Sequence, residues 1–180
     1  MLWLHEPPHW AEEGNTIIIH SAPQTDFWRI TAQDVIKDNA HFYYERCTGN
    51  FQMDVCVRAE FTGLWDQAGL MLRIDEKQWL KCSAEFFEEQ QHACVVVTHD
   101  VSDWSIVDLP PNLASLYLRI ERKGTTIAVY YALDGNTYRL LRLAYLSPVE
   151  SIDAGLFCAS PEGPGFIAKY TGFAIKAIGL

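Results

Sequence analysis

Polar and apolar residues alternate along most of this 180-residue chain, and the alternation predicts β-strands. The segment from Phe51 to Phe61 shows the pattern most clearly. Every odd position in it is apolar, and every even position except Cys56 is polar or charged. A strand of this kind buries one face and exposes the other, as in an antiparallel sheet. No window combines apolar residues at helical spacing with capping residues. The sequence therefore predicts an all-β protein.

Short strand-like segments bounded by Pro, Gly, Asp and Asn continue this pattern on both sides. They include Thr16–His20, Asp26–Ile30, His41–Glu45, Cys94–Thr98, Trp104–Asp108 and Ser115–Lys123, with further segments toward the C-terminus. The dipeptide Asp134-Gly135 predicts a hairpin turn between two of the later segments. About a dozen strands of this length need two packed antiparallel sheets to cover their apolar faces. We therefore predict a single domain over residues 1–180, a two-sheet jelly-roll sandwich, with an up-and-down barrel as the alternative.

The segment QAGLMLRIDEKQWLKCSAEF, residues 67–86, reads as a hairpin with an unusual strip of polar side chains. Antiparallel pairing about a turn at residues 76–77 gives the pairs Arg73–Trp79, Met71–Lys81, Gly69–Ser83 and Gln67–Glu85. These side chains would all lie on one face of the two strands. The opposite face carries the intervening apolar residues, and we predict that it joins the core.

Two interpretations of this polar strip remain open. The first is a solvent-facing surface with cross-strand pairs of Arg, Lys and Glu, which is the usual outer face of an antiparallel sheet. The second is a ligand-binding groove, in which Trp79 covers the C–H face of a sugar while polar groups bind its hydroxyls. Trp79 favours the groove, because a large indole is seldom exposed without a function. Glu85 beside Lys81 would also suit acid–base chemistry, since a neighbouring cation changes the pKa of a carboxyl group.

The composition is that of an ordinary folded protein, and its charge argues against two classes of partner. Hydrophobic residues make up 49% of the chain and charged residues 21%. Fourteen Lys+Arg against 23 Asp+Glu give a net charge of −9. This balance repels nucleic-acid phosphates and anionic lipid, so we expect neither nucleic acid nor a membrane as a partner.

The N-terminus, the cysteines and the histidines suggest a cytoplasmic protein without a cofactor. The first residues, MLWLHEPPHW, lack the basic start and apolar run of a secretory signal. The five cysteines are odd in number, irregularly spaced and without a C-x-x-C pair, which fits a reduced compartment. The six histidines form no metal-binding spacing. We therefore predict cytoplasmic localisation and neither a metal site nor another cofactor.

Several blocks of the sequence occur in a familiar order. They are DFWRI, HFYY, WDQAGLMLRIDEKQWLKCSAEF, VVVTHDVSDWS, LRIERKG and SPEGPGF. In this order they resemble an uncharacterised domain family of the concanavalin A-like lectin/glucanase superfamily, a family that includes the fungal regulation of enolase protein. The resemblance covers nearly the whole chain. It implies a jelly roll of two curved sheets with a concave face, but little about activity, and it leaves a structural calcium open.

The resemblance also implies, residue by residue, which polar positions of this sequence recur in the family. These are Asp66, Gln67, Arg73, Trp79, Lys81, Glu85 and the SDWS block, Ser102–Ser105. If they lie on the concave face, they converge on one groove. The residues CSAE stand where many relatives have a glycine before the glutamate, which bears on the shape of the groove. The superfamily's glucanases space their carboxylates as Glu-x-Asp-x-x-Glu, and this chain has no such spacing.

We therefore predict that the chain binds a carbohydrate or another small polar ligand in this groove. Trp79 is the predicted stacking platform and Trp104 a flanking wall. The predicted polar contacts are Asp66, Gln67, Arg73, Lys81, Glu85 and Asp103. Whether the chain is an enzyme stays undecided, and two alternatives remain open. One is an enzyme on a carbohydrate-derived substrate with Glu85 as acid or base, and the other is a protein-interaction module that regulates a metabolic enzyme.

Overall fold

The computed structural model describes residues 1–179, and every helix or strand assigned in them is a β-strand. The strands are β1 (Leu2–Leu4), β2 (His9–Glu13), β3 (Thr16–His20), β4 (Phe27–Arg29), β5 (Ile36–Asp38), β6 (His41–Thr48), β7 (Phe51–Glu60), β8 (Gln67–Arg73), β9 (Gln78–Phe87), β10 (Gln90–His99), β11 (Val101–Asp108), β12 (Leu116–Lys123), β13 (Thr126–Ala132), β14 (Arg139–Tyr145), β15 (Ser151–Ala159) and β16 (Ile167–Ala177). The prediction of an all-β protein is confirmed.

The strands form two seven-stranded sheets and one small hairpin. Sheet A has the order β1-β6-β15-β8-β9-β10-β11, and sheet B has the order β14-β13-β12-β7-β16-β3-β2. Neighbouring strands within each sheet are antiparallel, so the predicted two-sheet antiparallel sandwich is confirmed and the barrel alternative is wrong. Strands β4 and β5 pair only with each other.

The core lies between the two sheets and is built by the alternation visible in the sequence. In β7 the side chains at odd positions from Phe51 to Val57 are buried, and those between them are not. They pack in one cluster with side chains from β8 and β9, including Leu70, Leu72 and Leu80. At roughly 25 cal/mol per Å² of apolar surface buried, this cluster is the main source of folding free energy. The predicted core face of the β8–β9 hairpin is therefore confirmed.

The predicted register of the β8–β9 hairpin is also confirmed. Arg73 pairs with Trp79, and Gln67 pairs with Glu85 at the other end of the ladder. The polar strip consequently faces away from the core that the two sheets share. Glu88 and Glu89 have φ angles of 49° and 61° and form the turn that connects β9 to β10.

The β4–β5 hairpin contributes to a second apolar layer, on the outer face of sheet A. Phe27 from this hairpin is fully buried in a cluster with Phe42, Trp79 and Phe157 from the sheet. The sequence predicted a strand at residues 26–30 but not its partner β5, nor the N-terminal strands β1 and β2. Because the hairpin adds a layer there, part of this sheet face is interior rather than surface.

Two further predictions can be compared with the residues that the structure describes. Among them there is no helix that is long and apolar enough to cross a membrane. All five cysteines are free thiols, and only Cys56 is not buried.

Candidate functional site

A pocket of about 510 Å³ opens between sheet A and the β4–β5 hairpin. The hairpin supplies one wall, which includes Trp28. Strands β8, β9 and β11 supply the other, which includes Gln67, Glu85 and Trp104. The size falls within the usual range of small-molecule sites, roughly 300–1,000 Å³. The covered outer face of sheet A therefore contains a cavity large enough for a ligand.

Six of the residues singled out from the sequence line this pocket. They are Gln67, Lys81, Glu85, Ser102, Asp103 and Trp104. Gln67, Lys81 and Glu85 are brought together because they alternate along paired strands β8 and β9. Asp103 and Trp104 arrive from β11, which is separated from β9 by β10. Asp103 is exposed and accepts a hydrogen bond from the guanidinium of Arg142 at 3.1 Å.

The predicted role of Trp79 as an exposed stacking platform is wrong, because its side chain is fully buried. It packs beneath the hairpin, with its ring centroid 6.2 Å from that of Phe27. Arg73, on the same sheet face, is also absent from the pocket wall. Its guanidinium makes a two-pronged ion pair with Asp38 of β5, at 2.8 and 2.9 Å. Both side chains attach the hairpin to the sheet, so neither presents a free surface to a ligand.

Asp66 is another predicted contact that the structure places outside the pocket. Its carboxylate is fully buried and accepts hydrogen bonds from the backbone N–H groups of Thr62 and Gly63, at 2.9 and 2.7 Å. The hydroxyl of Ser160 donates a third, at 2.5 Å. These bonds use the acceptor capacity of the carboxylate to hold two loops together. Asp66 therefore supports the loop that leads to Trp65 rather than contacting a ligand.

Lys81 is a charged residue deep in the pocket wall, and its charge is compensated inside the protein. The residue is only 1% exposed. It donates to the carbonyl of Phe27 at 2.7 Å and to the carboxylate of Asp26 at 3.2 Å. It also lies 5.6 Å from the ring centre of Trp79. A buried ammonium needs such partners, because leaving water costs several kcal/mol. Lys81 thus links the sheet to the start of the hairpin.

Glu85 is the titratable group of the pocket with the most altered acidity. Burial raises the pKa of its carboxyl to about 7, and the nearby positive charge of Lys81 only partly opposes this shift. Asp26 adds to the rise through its negative charge, whereas the Cys94 thiol and the Trp104 indole, which face the carboxyl, oppose it. Near neutral pH the carboxyl is therefore present in both protonation states, and it can either donate or accept a hydrogen bond.

Two polar atoms in the pocket wall are buried without a hydrogen-bond partner among the described residues. They are the amide oxygen Oε1 of Gln67 and the indole nitrogen Nε1 of Trp104. The other end of the Gln67 amide is fixed, because Nε2 donates to the carbonyl of Trp65 at 3.2 Å. Buried polar groups in folded proteins are nearly always paired, and an unpaired one costs about 1–3 kcal/mol. The pocket lining therefore includes one unpaired acceptor, and one donor that faces the Glu85 carboxyl without a hydrogen bond of ordinary geometry.

Trp28 and Trp65 are pocket residues that the sequence reasoning missed. Trp28 lies on the hairpin, and its indole N–H donates to the carbonyl of Thr31 at 2.8 Å. Trp65 stacks on Phe87 at 4.8 Å and meets Trp104 edge to face at 5.8 Å. Neither belongs to the alternating strip of the β8–β9 hairpin. The available signal was their residue type, since an indole outside a core position is unusual.

The backbone at Trp65 is strained, as it is at nine other described non-glycine residues with a positive φ. Its φ angle is +65°, a left-handed conformation that bulky residues rarely adopt. Its N–H nevertheless donates to the carbonyl of Phe86 at 2.8 Å, so the surrounding structure holds it there. Strain of this kind costs on the order of 1–3 kcal/mol and clusters at ligand sites.

The hairpin that covers the pocket is attached to β11 and to the loop before it. The backbone N–H of Arg29 donates to the hydroxyl of Ser102 at 3.0 Å, and the Arg29 side chain donates to the carbonyl of Asp100 at 2.8 Å. The hydroxyl of Thr31 donates to the carbonyl of Ser102 at 2.5 Å. Ser102, from the SDWS block, therefore anchors the cover. Within residues 1–179, no group of His, Cys, Asp and Glu side chains has the arrangement of a metal site.

The chain resembles proteins of known sequence along most of its length. It is 28% identical over 175 residues to Regulation of enolase protein 1 of Saccharomyces cerevisiae, a match that covers 97% of this chain and 88% of the yeast protein. It is 24% identical over 142 residues to a putative beta-xylosidase of Escherichia coli K12, covering 68% of this chain but only 26% of that protein.

Solved structures with a similar fold include one from yeast. A functionally unknown protein from Saccharomyces cerevisiae superposes with a TM-score of 0.93 at 28% identity, over 98% of this chain and 96% of that one. A GH43 protein from Bacillus licheniformis gives 0.75 at 16% identity, over 96% of this chain and 36% of that one. The carbohydrate-binding module CBM66 from Bacillus subtilis gives 0.62 at 13% identity, over 97% of this chain and 95% of the module. The last two likenesses show the fold alone.

A family model settles the classification. The model described as "Protein of unknown function (DUF1349)" matches residues 3–178. The match spans both sheets and every residue that lines the pocket. The predicted resemblance to an uncharacterised family that includes the fungal regulation of enolase protein is therefore confirmed. This chain belongs to the DUF1349 family of proteins of unknown function.

Proposed function

We propose that the chain binds a small hydroxylated ligand, a carbohydrate by preference, in the pocket beneath the β4–β5 hairpin. The observation that carries the proposal is the pair of buried, unpaired polar atoms in the pocket wall, Gln67 Oε1 and Trp104 Nε1. A hydroxyl group both donates and accepts hydrogen bonds, so a polyol can satisfy both atoms. Indole rings beside them suit the C–H faces of a sugar ring.

The charges in the pocket also favour a neutral polar ligand over a strongly anionic one. The ammonium of Lys81 is already occupied by Asp26 and Phe27. Carboxyl groups outnumber cations in the lining, which has Asp26, Glu85, Asp103 and Glu162 against Lys37 and Lys81. An anionic ligand would meet these carboxylates, whereas sugar hydroxyls can donate to them. The proposed contacts from the sequence are thus Gln67, Glu85, Asp103 and Trp104, with Trp28 and Trp65 added.

The solved relatives support the proposal only through their fold. A carbohydrate-binding module and a GH43 protein share this β-sandwich with the chain. Their identities are too low to carry over any contact residue. The name of the yeast relative agrees equally with a protein partner, and that hypothesis predicts binding that does not depend on pocket residues.

Glu85 favours a second candidate function, an enzyme that acts on a carbohydrate-derived substrate. A buried carboxyl whose pKa is raised to about 7 suits a general acid or base at neutral pH. Hydrolysis of a glycosidic bond normally uses two carboxyl groups, about 5–10 Å apart. The other buried carboxylate of the wall, Asp26, is engaged with Lys81, which makes binding the better supported function.

The test is a thermal-shift screen with neutral sugars, sugar acids and phosphorylated metabolites, followed by calorimetric titration. A ligand at about a hundred times its dissociation constant should stabilise the fold by about 2.7 kcal/mol. The test variant is Gln67→Leu, which removes the unpaired acceptor. The control variant is Trp10→Phe, which alters an indole outside the pocket. Loss of binding in the first and retention in the second supports the proposal. Equal affinity in both variants contradicts it.

Glu85→Gln separates the two candidate functions, because it keeps the shape of the side chain and removes its acid–base chemistry. A binding protein should keep most of its affinity for the ligand. An enzyme should keep binding and lose turnover of the same compound. Turnover that is unchanged in Glu85→Gln would exclude Glu85 as the acid or base.

A further inference from the structure

A second concave surface lies on the opposite side of the sandwich, on the outer face of sheet B. It is a groove of about 500 Å³ over strands β7, β12 and β16. Its floor is formed by small residues, Cys56, Thr171, Gly172 and Ala174. Cys56 pairs directly with Thr171, and Asp54 with Ala174, so these residues are adjacent across the ladder. The ladder shifts register between Thr171 and Ala174, where Gly172 has a φ of +69°.

Larger side chains form the walls of this groove. Tyr117 on β12 and Tyr138 after β13 stand on one side. The turn at Gly135 fixes the ring of Tyr117, since a Cβ atom at this glycine would lie only 2.8 Å from the ring. The groove is therefore a shaped depression with small residues in the middle and aromatic rings at its side, rather than a flat sheet surface.

The charge of the groove is opposite to that of the whole chain. Its lining includes the cations Arg58, Arg119 and Lys176 and a single carboxylate, Asp54. The chain as a whole carries a net charge of −9. A concentration of cations at one site of an acidic protein creates a local field that attracts anions.

Contacts among the groove residues neutralise only part of this positive charge. Asp54 accepts a hydrogen bond from Arg119 at 2.6 Å and another from Gln52 at 2.5 Å, and the Arg119 guanidinium lies 4.0 Å from the ring centre of Tyr138. Arg119 is therefore fixed in place, with part of its donor fork unused. Arg58 and Lys176 make no ion pair with another residue in the part of the chain that the structure describes.

Arg58 also lies in an unfavourable position for a purely structural residue. It is directly opposite Lys169 on the neighbouring strand β16. Like charges that face each other across a ladder are destabilising, by a few tenths of a kcal/mol or more. Lys169 has a weak partner in Glu60, at 3.7 Å, and both are exposed to solvent. A bound anion would relieve the repulsion at Arg58 and pair with Lys176.

We propose that this groove is a second ligand site, which binds a small organic molecule through a phosphate or carboxylate group. Arg58, Arg119 and Lys176 bind the anionic group, and the rings of Tyr117 and Tyr138 pack against the body of the ligand. Guanidinium groups suit this role because their planar donors match the oxygens of phosphate and carboxylate. The site is independent of the pocket beneath the hairpin, which lies on the outer face of the other sheet.

Cys56 provides a direct readout, since it lies in the groove and is the one cysteine of the chain that is not buried. The full chain is treated with iodoacetamide, an uncharged reagent, and the alkylation rate of Cys56 is followed by mass spectrometry. The probes are inorganic phosphate, pyrophosphate and citrate, compared with chloride at equal ionic strength. Alkylation should slow by about tenfold at about ten times the dissociation constant, because only the empty groove reacts.

Two double variants show whether the effect belongs to the groove. Arg58→Gln with Lys176→Gln removes two groove cations, whereas Lys123→Gln with Arg139→Gln removes two cations outside it. Protection should disappear in the first variant and persist in the second. All four positions are exposed, so both variants should keep the thermal stability of the parent chain. Absence of protection in the parent chain overturns the proposal, and so does equal protection, or equal loss of it, in both variants.

Discussion

The outer face of sheet A is covered in part by the β4–β5 hairpin, whereas the central strands of sheet B present their outer face to solvent. Both faces carry alternating charged side chains from paired antiparallel strands. On sheet A, Lys81 is 1% exposed and Arg73 8% exposed. On sheet B, Arg58 and Lys176 are exposed. The same pattern of residues thus produces a buried polar network on one face and an open cationic groove on the other.

The difference shows that the covering segment decides the environment of a polar strip. A charged residue on an open sheet needs no partner, because water solvates it. Under a cover it needs a partner from the covering segment itself, and here Asp26 and Asp38 supply that partner to Lys81 and Arg73. The energetic consequences of mutation should therefore differ strongly between the two faces.

The largest contrast is expected between ion pairs on the two faces. Asp26→Ala leaves the buried ammonium of Lys81 without its carboxylate, and we expect a loss of about 3–5 kcal/mol in the free energy of unfolding. Glu60→Ala removes the exposed partner of Lys169 on sheet B and should cost about 0–1 kcal/mol. Urea denaturation of both variants measures the difference. Equal losses would mean that the hairpin does not isolate Lys81 from water.

Trp79→Ala tests the apolar contacts between the β4–β5 hairpin and sheet A. The indole is fully buried beneath the hairpin, so its removal should cost about 3–5 kcal/mol. Tyr138→Ala, which removes a half-buried ring from the groove on sheet B, should cost less than half as much. The same denaturation measurement applies. A small effect of Trp79→Ala would contradict the burial of Trp79 and support the exposed stacking platform that the sequence predicted.

The pH dependence of stability tests the burial of Glu85. Its pKa is about 7 in the folded chain, against an ordinary value of 4.5. Between these two values the folded state binds more protons than the unfolded state, so the free energy of unfolding falls as pH rises. The fall should total about 3 kcal/mol and level off above about pH 7. The free energy of unfolding of Glu85→Gln should lack this pH-dependent fall. Stability profiles that run parallel with pH for the parent chain and Glu85→Gln would contradict the burial of Glu85.

The smallest expected effect concerns the unpaired donor of the pocket. Trp104→Phe keeps an aromatic ring and removes the indole N–H, so a bound sugar should lose one hydrogen bond. We expect the dissociation constant to rise by about three- to tenfold, which corresponds to about 0.5–1.5 kcal/mol. Trp10→Phe is the control, because the Trp10 N–H donates to Glu6 at 2.8 Å, outside the pocket. Calorimetric titration of both variants decides whether Trp104 contacts the ligand.

The sequence predicted local pairing well because pairing depends on periodicity and turn chemistry. The alternation in residues 67–86 was sufficient for the exact partners of Arg73 and Gln67, and for the core face of both strands. The burial of Trp79 was not predictable in this way. Alternation tells which residues share a face, but it contains no information on a hairpin from residues 27–38 that folds onto that face.

The candidate site was predictable only where it coincides with the alternating strip. Gln67, Lys81 and Glu85 were found because they follow one another at even spacing on paired strands. Trp28 and Trp65 come from the covering hairpin and from a strained turn, so their positions depend on tertiary contacts. The pocket needs both kinds of residue, and periodicity alone identifies the first.

The central claim is that the covered face of sheet A holds a ligand against its unpaired polar atoms. The most direct measurement is a crystal structure of the chain with the tightest-binding sugar from the screen. We predict electron density in the pocket, with hydroxyl groups within hydrogen-bond distance of Gln67 Oε1 and Trp104 Nε1. Density at another surface, or an empty pocket at saturating sugar, would contradict this account.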